Sequence, residues 1–409
     1  MEIVLDAPRQ ELRLISSPRP NLNQTTLARP RLDAIDWLRG LVMVIMVLDH
    51  TRDFLGASSV NPRDVNDSAL FLTRWITHFC APIFVFLAGV SAFLYGNRGR
   101  TKSEISRFLL TRGFWLVFVE LIVMRFAWTF SLRVDFIFLQ VIWVIGLSMI
   151  ALAGLVYLPR KMIAAFALAI IAGHNLLDGI KAESFGQAKW LWMILHEPGF
   201  MYPFEGVTVF ALYPLIPWIG VMAAGYVFGP IMLMEANKRR HWTLGLGLAV
   251  TLLFIALRAV NVYGDPAVWM TQSNLLATVL AFINCEKYPP SLLFLAMTLG
   301  PALIALALFN EARSTPAKMI VTIGRTPFLF YVVHAVLLHA VAVIFAHFTY
   351  GDTAWLFRGL PPMSKPENYG LSLSVIYAVW LVIVMMLYPL CHWFAEVKQR
   401  RKDWWLSYL

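Results

Sequence analysis

Long apolar runs alternate with short polar connections along nearly all of the chain's 409 residues, and this alternation restricts the fold more than any single motif. A helix that crosses a bilayer needs roughly 20 mostly apolar residues. About ten segments are long enough: 35–56, 71–95, 107–128, 133–157, 160–177, 206–230, 243–262, 290–309, 319–347 and 371–394. The ninth is too long for one straight span. Gly324-Arg325-Thr326-Pro327 is expected to divide it, because proline lacks a backbone donor and clashes with the preceding turn; an eleventh span there is the alternative. Charged residues make up 14% of the chain and hydrophobic ones 59%, whereas soluble domains are about 25% charged. The expected fold class is all-α, a polytopic membrane protein of about ten or eleven transmembrane helices.

Charge placement gives that count an orientation. With the N-terminus in the cytoplasm, the connections on that side carry Arg98, Arg100, Lys102 and Arg107, then Arg160 and Lys161, then Lys238, Arg239 and Arg240, then Arg313, Lys318 and Arg325. That side, with both tails, holds roughly three times as many basic residues as the other, as the positive-inside rule expects. Both termini are therefore expected in the cytoplasm, and the net charge of +10 is topogenic, leaving no excess to assign to nucleic acid. Residues 1–34 read as a mobile cytoplasmic tail without the apolar core of a signal peptide. Residues 35–395 form one transmembrane domain, and 396–409 a short basic cytoplasmic tail. Cys80, Cys285 and Cys391 are scattered and form no metal-type spacing, which fits small buried apolar residues.

The first span, AIDWLRGLVMVIMVLDHTRDF at 34–54, is unusual in keeping Asp36, Arg39, Asp49, His50, Arg52 and Asp53. Ionisable groups at membrane depth are costly and by default mark a functional site. Arg39 and His50 fall about 20° apart in azimuth and ~16 Å apart along the axis. Asp36 is expected to pair with Arg39, and Asp49 with Arg52, at the i,i+3 spacing that brings helix neighbours together. The second span places Arg74 and His78 near the same end, with Gly89 and Ser91 small enough for close helix approach. An Arg125–Asp135 pair is expected across a short turn. Glu120, Gln140, His174, Asn175, Asp178, His334 and His339 read as interior or interfacial polar groups.

A histidine beside a carboxylate in a low-dielectric cavity can remove a proton from a hydroxyl or amine near neutral pH, the carboxylate fixing the tautomer. The sequence has no nucleophile elbow, HExxH or Walker motif, and its histidines are dispersed, so no metal is expected. That leaves a general base or a directly acylated histidine, with His50, Asp49 and His78 as the catalytic set. Two other readings compete. In a proton-coupled transporter or flippase, the Asp49–His50 pair would be a proton relay. In a structural protein, the charges would satisfy one another between packed helices.

RLDAIDWLRGLVMVIMVLDHTRDF, RWITHFCAPIFVFLAGVSAFLYG, CEKYPPSLLFLAMTLGPALIALAL and GRTPFLFYVVHAVLLH, in that order, resemble bacterial members of the heparan-α-glucosaminide N-acetyltransferase catalytic-domain family. The first helix also resembles a wider superfamily of membrane acyltransferases acting on surface polysaccharides, whose signature is a basic residue, ten others and a histidine. Arg39 and His50 match it. The resemblance implies acetyl transfer from cytoplasmic acetyl-CoA, as co-substrate, to a sugar amine or hydroxyl on the periplasmic side of a bacterial inner membrane. His50 would be the catalytic histidine, and Arg39 would orient the donor or hold the helix. In the lysosomal branch the catalytic histidine lies in the first luminal connection, but residues 56–70 here contain none, so that role falls to His50 or His78. Arg39, Arg74, Arg107 and Arg325 are assigned to the anionic donor. Arg52 and Asp53, with Trp190, Trp192, His196 and Glu197 of KWLWMILHEPGFMYPFEG, are assigned to the acceptor, since indole faces suit sugar C–H surfaces; an aromatic belt at the membrane interface would use the same residues. The expected partners are acyl-CoA, a glycan or sugar, and membrane lipid. Family analogy alone suggests a homodimer through transmembrane surfaces.

Overall fold

In a computed structural model of the chain, residues 33–407 are described apart from 59, 310, 311, 313, 361–363 and 402. The expected N-terminal tail, with its five arginines, lies outside the described residues except for its last two positions. The first span forms α1 (Asp33–Leu55). The second is a helix pair, α2 (Ser68–Thr77) and α3 (Cys80–Gly96), bent at His78-Phe79 just ahead of Pro82. The third runs through α4 (Lys102–Phe118), a π-turn at Val119–Met124 and α5 (Arg125–Thr129). The π-turn points Glu120 at the next helix, α6 (Val141–Leu155), where its carboxylate accepts the Trp143 N–H at 3.0 Å and satisfies one of the donors left free at a helix N-terminus. Arg125 does not pair with Asp135 among the described residues; its guanidinium donates instead to the Arg133 carbonyl.

Two expected spans are shorter than their apolar runs. Residues 133–140 and 206–214 enter a small sheet that the all-α expectation did not include: β1 (Phe136–Leu139), β2 (Gly199–Phe204) and β3 (Val207–Ala211), in the order β1-β3-β2. β1 pairs parallel to β3, Phe136 opposite Thr208 through Leu139 opposite Ala211, and β2 pairs antiparallel to β3. The helices following these strands are α6 and α9 (Leu215–Phe228). Between them come α7 (Arg160–Gly173) and the short α8 (Lys189–Leu195).

The second half contains α10 (Ala236–Val260), α11 (Leu275–Ile283), α12 (Leu292–Leu308), α13 (Thr315–Arg325), α14 (Pro327–Tyr350) and α15 (Leu373–Arg400). The break expected at Gly324–Pro327 separates α13 from α14. α11 falls in a segment read as a connection. Its C-terminal carbonyls are held by Arg258, 1% exposed, which donates to Phe282, Ala281 and Asn284, a cation at the negative end of a helix.

Among the described residues, six helical stretches are long and apolar enough to cross a membrane: Ser68–Gly96, Arg160–Leu177, Leu215–Leu233, Ala236–Val260, Pro327–Tyr350 and Leu373–Arg400. α6 and α12 are apolar but shorter, and α1 is long but charged. α7, α10 and α15 leave most of their apolar side chains on the outside of the protein, a pattern that only a hydrocarbon surrounding favours. The chain is therefore a mostly helical membrane protein.

Close backbone approaches hold the bundle. A Cβ on Gly40 of α1 would lie 1.9 Å from the Ile320 carbonyl oxygen, and one on Gly324 of α13 would lie 1.8 Å from that of Asp36. α3 and α9 meet the same way at Gly89 and Gly225. Apolar helices in lipid gain little from hydrophobic burial against one another, so such small-residue contacts, which maximise dispersion, do much of the packing.

Candidate active site

α1 carries its ionisable side chains in two clusters, one at each end. At its start, Arg39 donates to Asp36 at 3.1 Å, to the Gly324 carbonyl at 3.3 Å and to Ser91 Oγ at 3.2 Å. Arg325 pairs with Asp33 at 2.9 Å and lies 3.8 Å from Asp36. Arg39 and Arg325, both assigned to the donor, do come together, and each also clamps α13 to α1. Arg107 lies apart from them, exposed on α4.

Toward the other end, Arg52 is bonded to Asp49 at 2.5 Å and to Asp53 at 3.2 Å. The expected Asp49–Arg52 pair is therefore present, and Asp49 does not hydrogen-bond His50. Arg74 sits within electrostatic reach of Arg52 and Asp49, so it belongs to this cluster and not with Arg39. Lys365 Nζ closes the end of the helix on the Arg52 and Gly56 carbonyls, at 3.2 and 2.8 Å. Its burial there holds the ammonium pKa down at about 8, with Asp53 opposing that shift and Arg52 adding to it.

His50 takes its hydrogen bond from another helix. Its Nδ1 lies 2.7 Å from Nε2 of His334 on α14, the rings stacked at 5.0 Å, with Trp128 edge-on to His50 at 5.0 Å. His334, fully buried, places Nδ1 3.0 Å from the Phe330 carbonyl one turn back. A carbonyl only accepts, so Nδ1 of His334 carries its proton and Nε2 offers a lone pair. His50 must then donate from Nδ1, which leaves its Nε2 unprotonated. The partner of each ring thus fixes its tautomer, and the group hydrogen-bonded to the His50 ring is His334, where the sequence suggested Asp49.

Beside His50 and Asp49 lies a cavity of about 30 Å³, room for one or two waters. Its other polar walls are Thr77, Gln140, Tyr213 and Lys287. The small sheet supplies two of these: Gln140 follows the last residue of β1 and Tyr213 comes two residues after β3. Gln140 Nε2 is buried with no hydrogen-bond partner among the described residues, although buried amides are normally satisfied. Lys287 is 7% exposed, held between the Tyr288 ring, 5.2 Å from its Nζ, and the cavity. With Arg74, Arg52 and Lys365 against Asp49 and Asp53, this end of α1 has an excess of positive charge.

The remaining expected residues are not gathered here. His78 is buried against Phe294, 5.3 Å between rings, with neither nitrogen bonded among the described residues, and is not part of the cavity wall. Trp190 is 51% exposed on α8. Trp192 donates to the Ile180 carbonyl and stacks on Phe185, and Glu197 accepts the Ala182 N–H at 2.6 Å. His196 lies 3.0 Å from Asp178. Trp192, Glu197 and His196 thus make their contacts within 178–197, and none of the four lines the cavity beside His50. The sequence reading gave no site role to His334, Gln140, Tyr213 or Lys287. Lys287 and His334 lie within segments that carried the family resemblance; Gln140 and Tyr213 gave no signal of their own.

Residues 31–264 match the family described as "Heparan-alpha-glucosaminide N-acetyltransferase, catalytic". No curated protein matches the chain.

Proposed function

Because the chain belongs to the heparan-alpha-glucosaminide N-acetyltransferase catalytic family, and so to the membrane acetyltransferases, we propose that it moves an acetyl group from acetyl-CoA to an amino or hydroxyl group of a sugar, with His50 as the general base. The observation that carries this reading is the hydrogen-bond chain from His50 through His334 to the Phe330 carbonyl, which presents an unprotonated Nε2 beside a polar cavity. In direct transfer, Nε2 takes the proton of the acceptor amine or hydroxyl as its N or O bonds to the thioester carbonyl carbon. The imidazolium keeps its Nδ1–H on the neutral His334, a charge-assisted hydrogen bond that forms only once the proton has arrived. Collapse of the tetrahedral intermediate breaks the C–S bond, and the proton passes from Nε2 to the CoA thiolate. In a two-step route the same lone pair would attack the carbonyl and expel the CoA thiolate; the acceptor would then attack the acetyl group, breaking its bond to Nε2 and giving its proton to the thiolate.

The negative charge that develops on the carbonyl oxygen needs donors fixed in advance. Gln140 Nε2, unpartnered in the cavity wall, and the Lys287 ammonium are the groups in place to supply them. The cavity is too small for CoA, so only the thioester end reaches it and the nucleotide stays outside. Arg39 and Arg325 serve the donor side mainly by holding α1 to α13, since their charges are already engaged by Asp33 and Asp36.

In this reading residues 35–395 form the catalytic domain, with about ten spans and both termini in the cytoplasm of a bacterial cell. Acetyl-CoA reaches the site from the cytoplasm, and the acceptor from the periplasmic face where His50 lies. Proteoliposomes with acetyl-CoA on one side and glucosamine on the other test the whole of it. Acetylated sugar and free CoA should appear on opposite sides. Proton-driven flux of sugar without CoA release would favour a transporter instead.

A further inference from the structure

The side-chain group around His196 has a chemistry of its own. His174, at the end of α7, lies beside Asp178 and His196, and the ligating atoms of the three are all within 4.8 Å of one another. His174 and His196 are each 2% exposed. Neither ring nitrogen of His174 has a hydrogen-bond partner among the described residues, and Nδ1 of His196 has none either. Buried polar groups left unpaired are costly, so a His174 ring with no hydrogen-bond partner, beside Asp178 and His196, needs a reason. We propose that His174, Asp178 and His196 bind a divalent transition metal of the zinc class.

Two imidazoles and one carboxylate are a donor set that such ions take, with a fourth position left for water. The carboxylate is already oriented for the task. Its Oδ2 accepts from Asn175 Nδ2 at 2.8 Å, leaving Oδ1, 3.0 Å from His196 Nε2, for the ion. Outer hydrogen bonds of this kind fix ligands and sharpen affinity.

The position indicates a structural role. His196 stands three residues before β2, and the other Asn175 atom, Oδ1, accepts the N–H of Leu292, five residues after Lys287. An ion here would pin the end of α7 to the strand that pairs with β3, and through Asn175 to the segment carrying Lys287. The ion would thus brace cavity walls without touching the reacting atoms. The inference stands apart from the acetyltransferase reading and does not need it.

The test uses the full-length protein purified in detergent, stripped with a chelator and titrated with cobalt(II). Wild type should take up one cobalt per chain with the strong visible bands of four-coordinate N/O ligation, and zinc should displace it and raise the melting temperature. His174→Ala and His196→Ala should lose the bands and the zinc-dependent shift, while His347→Ala, at an exposed histidine on α14, should keep both. Wild type without stoichiometric binding, or a folded His174→Ala protein that binds as wild type does, overturns the assignment. If the alanine variants do not fold, X-ray absorption on zinc-loaded wild type decides. Two imidazole ligands support the site, and an all-water or surface-type shell refutes it.

Discussion

Removing the His334 imidazole should slow turnover without removing the base. In His334→Ala, His50 loses the acceptor for its Nδ1–H, 2.7 Å away. That bond strengthens when His50 becomes an imidazolium, and hydrogen bonds to charged groups contribute about 1.5–3 kcal/mol. If this stabilisation is felt in the transition state, kcat should fall by about 10- to 150-fold. His50→Ala, which removes the base itself, should cost more, about 100- to 10,000-fold. The assay is CoA release at saturating acetyl-CoA and sugar, with melting temperature and gel filtration as fold controls. His339→Ala provides the comparison, because His339 is equally buried on the same helix but bonds to the Ala127 carbonyl and is absent from the cavity wall. It should lose stability and keep kcat. A folded His334→Ala protein with wild-type kcat refutes the relay. A loss larger than that of His50→Ala would mean that His334, and not His50, handles the proton.

Three further outcomes follow from the same geometry. Gln140→Ala should lower kcat by about 100- to 1,000-fold if its amide meets the oxyanion, measured in the same assay; an unchanged kcat removes it from the mechanism. Gly40→Ala would put Cβ 1.9 Å from the Ile320 oxygen, pushing α1 and α13 apart and straining Arg39's bond to Gly324; thermal melts should show a loss of about 1–3 kcal/mol, and wild-type stability would refute the packing argument. Lys365 has a folded pKa of about 8 against an ordinary value of 10.5, so between those values the unfolded chain holds the extra proton and stability rises with pH. Across that window the melting temperature of wild type should climb relative to Lys365→Met, and parallel curves would refute the buried ammonium.

What could be read from the sequence was whatever is local along a helix. The pairs Asp36–Arg39 and Asp49–Arg52 follow from i,i+3 spacing, the break before Pro327 from proline chemistry, and the close approach at Gly89 from its missing side chain. The sheet was hidden because FIFL and VTVFA are apolar runs that continue into helices, and periodicity cannot separate a short buried strand from the start of a span. α11 was missed for a related reason: at nine residues it is too short to read as a span. The partner of His50 was beyond any local pattern, since His334 lies 284 residues away and looks like one more polar residue in an apolar helix. Asp49 was favoured because it is adjacent in sequence, yet adjacent residues on a helix point about 100° apart, and its carboxylate faces Arg52. The aromatic segment around Trp190 was read for composition, which does not reveal that Trp192 and Glu197 are occupied in folding their own loop.

The central claim is that His50 is the group through which the acetyl group or the acceptor's proton passes. The most direct measurement is acetyl transfer from radiolabelled acetyl-CoA to glucosamine by wild type and by His50→Ala, both shown to be folded, with label counted in the product and on the protein. The account predicts labelled sugar and stoichiometric CoA from wild type, and neither above background from the variant. Equal transfer by both proteins would contradict it.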